Sequence, residues 1–329
     1  MSLEVGILSA AHVHTDAYAA ELSGRGDLSF VGVTDEDEKR GSACADRHGI
    51  EYVADPDELL DRIDAGVICA PNADHRAWID RACAAGVHVL CEKPLAPTLE
   101  EASSIVDVWR ESGVHVGVAM PLRFSEAAKR AKRALEDGEI GPIGAISGTN
   151  RGKMPGGWFV DPEQSGGGAV MDHTVHIVDL VEHLTDRSVA EVYAEIDTRF
   201  HEIPVEDVNV LSMSLSDGTP FLLDGSWSKP ESWHTWGDAT VEFVGSEGAL
   251  AVDTTDQSVV HTVASGSQAG VHTVSHATDT SADLIADFVA SVREDRDPMT
   301  TPEDGLRAVA VVEAAYESAE RDEPVAVEL

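Results

Sequence analysis

The feature that most limits what this chain can fold into is an alternation. From Leu3 to about residue 120, short β-branched runs take turns with helical stretches. The spacing predicts strands over 3–8, 28–34, 52–54, 65–70, 87–91 and 114–119, with helices over 10–23, 38–48, 56–63, 73–85 and 98–111. Strands separated by helices of about 10 to 15 residues predict a parallel, doubly wound sheet. At 329 residues the chain is long enough for a second domain. The rhythm changes at Met120-Pro121. A helix is expected over 125–136, carrying the dense basic stretch Lys129, Arg130, Lys132 and Arg133. A strand over 143–150, a glycine-rich segment to Gly168 and a helix over 170–184 follow. Alternating runs from Val189 to about Val274 read as an antiparallel sheet, and helices over 281–293 and 302–319 close the chain. The expected fold is α/β: a Rossmann-type, doubly wound parallel sheet over 1–121, then an α/β domain with an open, mainly antiparallel sheet over 122–329.

Charge excludes one class of partner. Lys+Arg total 23 against 60 Asp+Glu, a net charge of -37. Phosphate-backbone binding needs clustered cations that this chain does not supply, so nucleic acid is not an expected partner. The carboxylates are spread along the chain, a pattern that repels itself in dilute buffer and is relieved as the Debye length falls to about 3 Å in molar salt. We read it as adaptation to a salt-rich cytoplasm. Cys44, Cys69, Cys83 and Cys91 form no C-x-x-C pair and are expected to be reduced and buried. No apolar run approaches about 18 residues, so no membrane span is expected.

The first strand turns toward a helix where dinucleotide-binding domains carry G-x-G-x-x-G, but the three positions are Ser9, Ala11 and His14. Ala11 sets a methyl where backbone approaches phosphate, and His14 a ring where the helix should pack closely. The Ser9 hydroxyl can offset part of the loss. The second strand ends at Asp35, a carboxylate placed to accept the adenosine ribose hydroxyls and to repel a 2'-phosphate, so NAD is expected before NADP.

Two further segments carry a resemblance. Cys91-Glu92-Lys93-Pro94 ends the fifth strand, and Gly166-Gly167-Gly168 is followed by Asp172, His176 and Asp179. With Ala70-Pro71-Asn72-Ala73-Asp74-His75, Arg123-Phe124, Gly245-Ser246-Glu247-Gly248 and Thr301-Pro302-Glu303-Asp304-Gly305, these resemble the Gfo/Idh/MocA oxidoreductases over nearly the whole chain. The resemblance implies activity on sugars, polyols or their derivatives, with Lys93 and His176 catalytic and Asp172 as accompanying carboxylate. The chain departs from the family at its glycine-poor loop and at Thr174, where the family often has glycine.

The chemistry these residues offer agrees. Oxidising a carbinol needs a base for the hydroxyl proton, which a histidine can be, and an ammonium stabilises the developing alkoxide. On a regular helix Asp172 and His176, four apart, share a face. Ser9, Ala11, His12, His14, Asp35, Pro71, Asn72, His75, Glu92 and Arg123 are the expected cofactor residues. Lys93, Asp172, His173, Trp158, Lys229 and Trp233 are expected to meet substrate, since indoles stack on sugar C–H faces. Trp227, Trp233 and Trp236 equally suit a subunit interface, and a homodimer or homotetramer through the C-terminal sheet is expected. His12, His14, Asp172, His173 and His176 are metal-capable, but they lack the convergent set that zinc requires, and no metal is expected. Two other readings remain: transient oxidation by held NAD that enables glycoside hydrolysis or elimination, and a cofactor-binding regulator.

Overall fold

The apolar runs of the first 120 residues become strands buried on both faces, the mark of a parallel sheet covered by helices. In a computed structural model, which describes residues 2–256, 258–263, 266, 270–275 and 280–329, the chain forms two compact units. The first comprises Met1–Met120 with Ser281–Leu306, the second Pro121–Thr280 with Arg307–Leu329.

In the first unit β1 (Leu3–Leu8), β2 (Leu28–Thr34), β3 (Glu51–Tyr52), β4 (Ala65–Ile68), β5 (His88–Cys91) and β6 (Val116–Val118) pair in parallel in the order β3-β2-β1-β4-β5-β6. That is the doubly wound order, whose switch point lies between β1 and β4. The connecting helices are α1 (Thr15–Gly24), α2 (Glu38–His48), α3 (Pro56–Leu60), α4 (His75–Ala85) and α5 (Leu99–Ser112). The Asp37 carboxylate caps α2 by accepting from the amides of Lys39 and Arg40, and the Thr98 hydroxyl caps α5 by accepting from the amide of Glu101. The expected helix from residue 10 starts five residues late, because Ser9 takes φ 66° and residues 9–14 form a loop. The late segment serves this sheet: Thr300 donates from its hydroxyl to the Val118 carbonyl at 2.6 Å and accepts from the Val118 amide at 3.1 Å, covering the β6 edge.

The second unit contains α6 (Glu126–Glu136), β7 (Ile143–Thr149), α7 (Pro162–Ser165), a π turn (Val170–Thr174), α8 (Val175–Thr185), β8 (Val189–Asp197), β9 (Val208–Leu215), β10 (Pro220–Asp224), β11 (Thr240–Gly245), β12 (Gly248–Asp253), β13 (Ser258–Val263) and β14 (Gly270–Ser275). In chain order α9 (Thr280–Glu294), which from Ser281 belongs to the first unit, α10 (Pro302–Arg321), which passes from the first unit to the second at Arg307, and the short β15 (Val325–Ala326) follow. The nine strands run β14-β13-β12-β11-β7-β10-β9-β8-β15, all antiparallel except β10 on β7. One sheet face carries buried Ile146, Leu211, Leu223, Phe243 and Leu250, and the other leaves Val210, Leu222 and Val244 exposed. The four cysteines are free thiols, with Cys83 half-buried and the others buried. No described helix is long and apolar enough to cross a membrane.

Candidate active site

The loop after β1 reaches the geometry of a phosphate-binding turn without its glycines. Ser9 occupies the left-handed region that the first glycine of the motif normally fills, a conformation costing a non-glycine residue of order 1 kcal/mol. Hydrogen bonds hold it there. The Ser9 amide donates to Thr34 O at 2.9 Å, the Ala10 amide to Asp35 Oδ2 at 2.6 Å, and the Ala11 and His12 amides to Cys69 O at 3.0 and 2.8 Å. The loop amides that usually cradle pyrophosphate are thus spent inside the protein. The N-terminus of α1 remains, where His14, its side chain 43% exposed, stands at the cap position. This half fits a dinucleotide whose phosphates lean on side chains and one helix terminus.

Asp35 is fully used. Besides Ala10, its carboxylate accepts from the Asp37 amide at 2.7 Å and from Arg40 Nε and Nη2 at 2.9 and 2.7 Å. Arg40, which the sequence reading did not single out, lies five positions after Asp35 on the first turn of α2. Its guanidinium stands where ribose hydroxyls were expected to reach Asp35, and it places a cation, not a bare anion, on that side of the loop.

Glu92, at the carboxyl end of β5, is the centre of a buried network. Its Oε1 accepts from the Tyr18 hydroxyl at 2.8 Å, lies 2.8 Å from His14 Nδ1 and 3.3 Å from His12 Nδ1, while Oε2 accepts from the Lys93 amide at 3.1 Å. Burial alone would raise its pKa, but the charges of His12 and His14, the His14 hydrogen bond and Lys93 outweigh it and hold the carboxyl well below the usual range. Burial, with the neighbouring Glu92, pushes the Tyr18 phenol well up. His12, His14 and Glu92 bring three metal-capable atoms within 4.8 Å of one another.

Lys93 is buried directly after Glu92, and the Lys93–Pro94 peptide is cis. His75, expected to meet cofactor, is instead wholly enclosed. Its Nδ1 lies 2.9 Å from Pro94 O and its Nε2 3.1 Å from Ala70 O, and burial, the larger effect, lowers its pKa. It ties the Lys93–Pro94 loop to the end of β4 and leaves no atom for a ligand. Pro71 and Asn72 lie in the same buried turn.

In the second unit the glycine run serves close packing. A Cβ on Gly168 would overlap the Glu206 carbonyl, and one on Gly167 the Tyr316 hydroxyl. Glu206 Oε1 accepts from the amides of Gly168 and Val170 at 2.8 and 3.0 Å and from Tyr316 at 2.9 Å, and burial pushes its carboxyl up. The chain then enters the π turn, so the regular-helix argument that aligned Asp172 with His176 does not carry over. Asp172 Oδ2 accepts from Trp227 Nε1 at 3.2 Å and lies 3.3 Å from His173 Nε2. His173 Nδ1 is 3.0 Å from the Gly225 carbonyl, which can only accept, so a proton sits on Nδ1. His176 opens α8 and is half-buried.

Comparison with known proteins decides the family. Residues 5–120 match the oxidoreductase-family, NAD-binding Rossmann fold, and residues 128–251 match the GFO/IDH/MocA C-terminal domain. The chain belongs to the Gfo/Idh/MocA oxidoreductases. It is 24% identical over 337 residues to the myo-inositol 2-dehydrogenase of Thermotoga maritima, covering 99% of each chain. It is 29% identical over 298 residues to a D-xylose 1-dehydrogenase (NADP(+)) of Haloferax volcanii, covering 88% of this chain and 89% of that one. Levoglucosan dehydrogenase in complex with NADH and levoglucosan superposes with a TM-score of 0.90 at 22% identity, covering 100% of both chains.

Within this Gfo/Idh/MocA oxidoreductase several expected residues acquire different surroundings. Arg123, expected at the cofactor, is buried in its own unit on Asp179, with Nε and Nη2 at 2.8 and 2.6 Å from the carboxylate oxygens, so the motif's last carboxylate neutralises a buried cation. Of the tryptophans, Trp227 is fully buried and holds Asp172, Trp158 packs on Phe159 in an apolar cluster, and Trp233 and Trp236 are 40% and 50% exposed. Trp236 stands edge-on to His173 at 5.0 Å, and Lys229 Nζ lies 4.3 Å from the Trp233 ring centroid. Lys229 also meets Asp238, which accepts from Arg151 and Thr149. Burial opposes ionisation of Asp238, but these donors lower its pKa overall.

Proposed function

We propose that the chain transfers hydride between nicotinamide and a carbinol carbon of a sugar, polyol or cyclitol. His176 takes or returns the hydroxyl proton, Lys93 stabilises the alkoxide, and Asp172 orients the substrate side. The observation that carries this reading is Lys93, 3% exposed at the carboxyl end of a parallel strand, where such sheets bind ligands. A lysine held there, in a chain with six, is poorly explained as surface charge. Bound nicotinamide supplies the hydride acceptor or donor. Trp233, Trp236 and Lys229 offer indole faces and a cation to sugar C–H and hydroxyl groups. The names of the relatives, acting on inositol, xylose and levoglucosan, support the substrate class. A panel of sugars and polyols with NAD or NADP in molar KCl, followed by reduced-cofactor absorbance, tests it. Absence of turnover with every carbinol, together with absence of NADH binding, sinks the reading.

For the cofactor, Asp35 supports NAD. Arg40 favours a second reading, NADP, because a guanidinium beside the loop suits a 2'-phosphate. We also propose self-association through the exposed sheet face around Val210, Leu222 and Val244, in a salt-rich cytoplasm. Sedimentation in molar KCl showing a monomer refutes it.

A further inference from the structure

The chain has 17 arginines. Fifteen of them lie within ion-pair distance of a described carboxylate. Among the described residues Arg130 and Arg133 alone make no such pair, in a protein with 60 acidic side chains. They are three apart on α6, so they share a helix face, and both line one cavity of about 190 Å³. The neighbouring Lys129 and Lys132 are paired, Lys129 with Glu126 and Lys132 with Glu136 and Asp186.

His261, on β13, lines the same cavity and is 8% exposed. Its Nδ1 lies 3.0 Å from Glu139 Oε2, and its buried Nε2 has no hydrogen-bond partner among the described residues. A buried ring nitrogen without a partner is a cost that a ligand relieves. Two guanidiniums and an imidazole around one small cavity make a donor set suited to a tetrahedral oxyanion. Arginine forks bind phosphate in bidentate fashion, and Nε2 can donate to a dianion or accept from the P–O–H of a monoanion. Asp137 and Glu139 also line the cavity and oppose an anion, Glu139 less so because His261 holds it. They bias the site toward a ligand that brings several acceptors at once.

We propose that the cavity between α6, β12 and β13 binds a phosphate group, either inorganic phosphate or a small phosphomonoester. The site lies wholly in the second unit and does not depend on the redox reading. Because α6 packs on α8, whose first turn carries His176, an occupant would be felt by that helix.

The test is calorimetric titration of the full chain in 2 M KCl, saturated with NAD to block the cofactor loop, with inorganic phosphate and separately with a sugar phosphate. Both ligands, or the sugar phosphate alone, should bind the wild type. Arg130→Gln/Arg133→Gln should weaken binding at least about tenfold per lost fork, and His261→Gln less. Arg130→Lys/Arg133→Lys should recover part of the loss, which a merely misfolded variant would not. Absence of binding by either ligand, or equal affinity in wild type and double Gln variant with an unchanged melting temperature, overturns the proposal.

Discussion

Replacing Arg40 by glutamine separates the two cofactor readings. Arg40 meets Asp35 through bonds of 2.9 and 2.7 Å. Its side chain is 41% exposed, so screening discounts the pair to about 1 kcal/mol of stability. The turn should survive, since Asp35 keeps the Ala10 and Asp37 amides. The cofactor effect is larger. A 2'-phosphate loses a bidentate cation and gains an uncompensated carboxylate, a change of about 1.4 to 2.8 kcal/mol, or ten- to a hundredfold in NADP affinity. NAD carries no 2'-phosphate, and Asp35 becomes available to its ribose hydroxyls, so NAD affinity should hold within about threefold or improve. Fluorescence titration with NADH and NADPH in molar KCl, and KM for both cofactors, read the split. Equal losses for both cofactors would assign Arg40 a purely structural part. An unchanged NADPH affinity would refute any contact with the 2'-phosphate.

Lys93→Ala should cut turnover by about 10²- to 10³-fold while NADH binding changes little, and retained activity would remove it from the chemistry. His176→Gln should cost at least about 10²-fold in kcat, with His173→Gln costing less; the reverse order would make His173 the acid/base group. Glu92→Gln should destabilise the protein by about 3 kcal/mol at neutral pH, because a buried charge network loses its anion. The folded-state pKa of Glu92 is depressed, so its contribution is complete above the ordinary carboxyl value and fades as pH falls below it. The gap between variant and wild type in urea midpoints should therefore narrow from pH 7 to pH 4. A gap that widens in acid contradicts the network.

The parallel sheet was legible because its strands are continuous apolar runs set off by helices, and all six of its strands begin and end within two residues of where spacing puts them. The start of α1 was not, because Ser9 takes a backbone conformation that side-chain chemistry does not advertise. Nor did spacing reveal the π turn, which shifts Asp172 away from helical register and onto Trp227. Lys93 and Glu92 were legible as a motif, but the partners of Glu92, Tyr18 and His14, lie some 75 positions away and meet it only in the fold. The partners of His75 and Arg123 were not legible, for one reason. A polar residue near a ligand edge can equally be spent on holding that edge, and only burial and partners distinguish the two uses. The spacing of Arg40, five positions after Asp35 across the start of α2, is the one sequence signal of their ion pair.

The surplus of carboxylates and the near-complete pairing of the arginines lead to one prediction about solvent. Contacts such as Arg62–Glu51 and Arg47–Asp16 lie near 2.6 to 2.8 Å on solvent-facing side chains, where water and salt screen the attraction. Salt weakens these pairs modestly. It acts more strongly on the acids that have no cation, whose repulsion reaches about 30 Å at 0.01 M ionic strength and only about 3 Å at 1 M. With 60 acidic groups against 23 basic ones, the repulsive pairs outnumber the attractive ones. The melting temperature should therefore rise steadily from 0.01 to 1 M KCl, and the affinity for the anionic cofactor should rise with it. Titrating both in KCl and in a zwitterionic osmolyte separates screening from surface exclusion, since the osmolyte leaves the Debye length unchanged. A melting temperature that falls on adding KCl would mean that the ion pairs, not the unpaired acids, dominate the field of this protein.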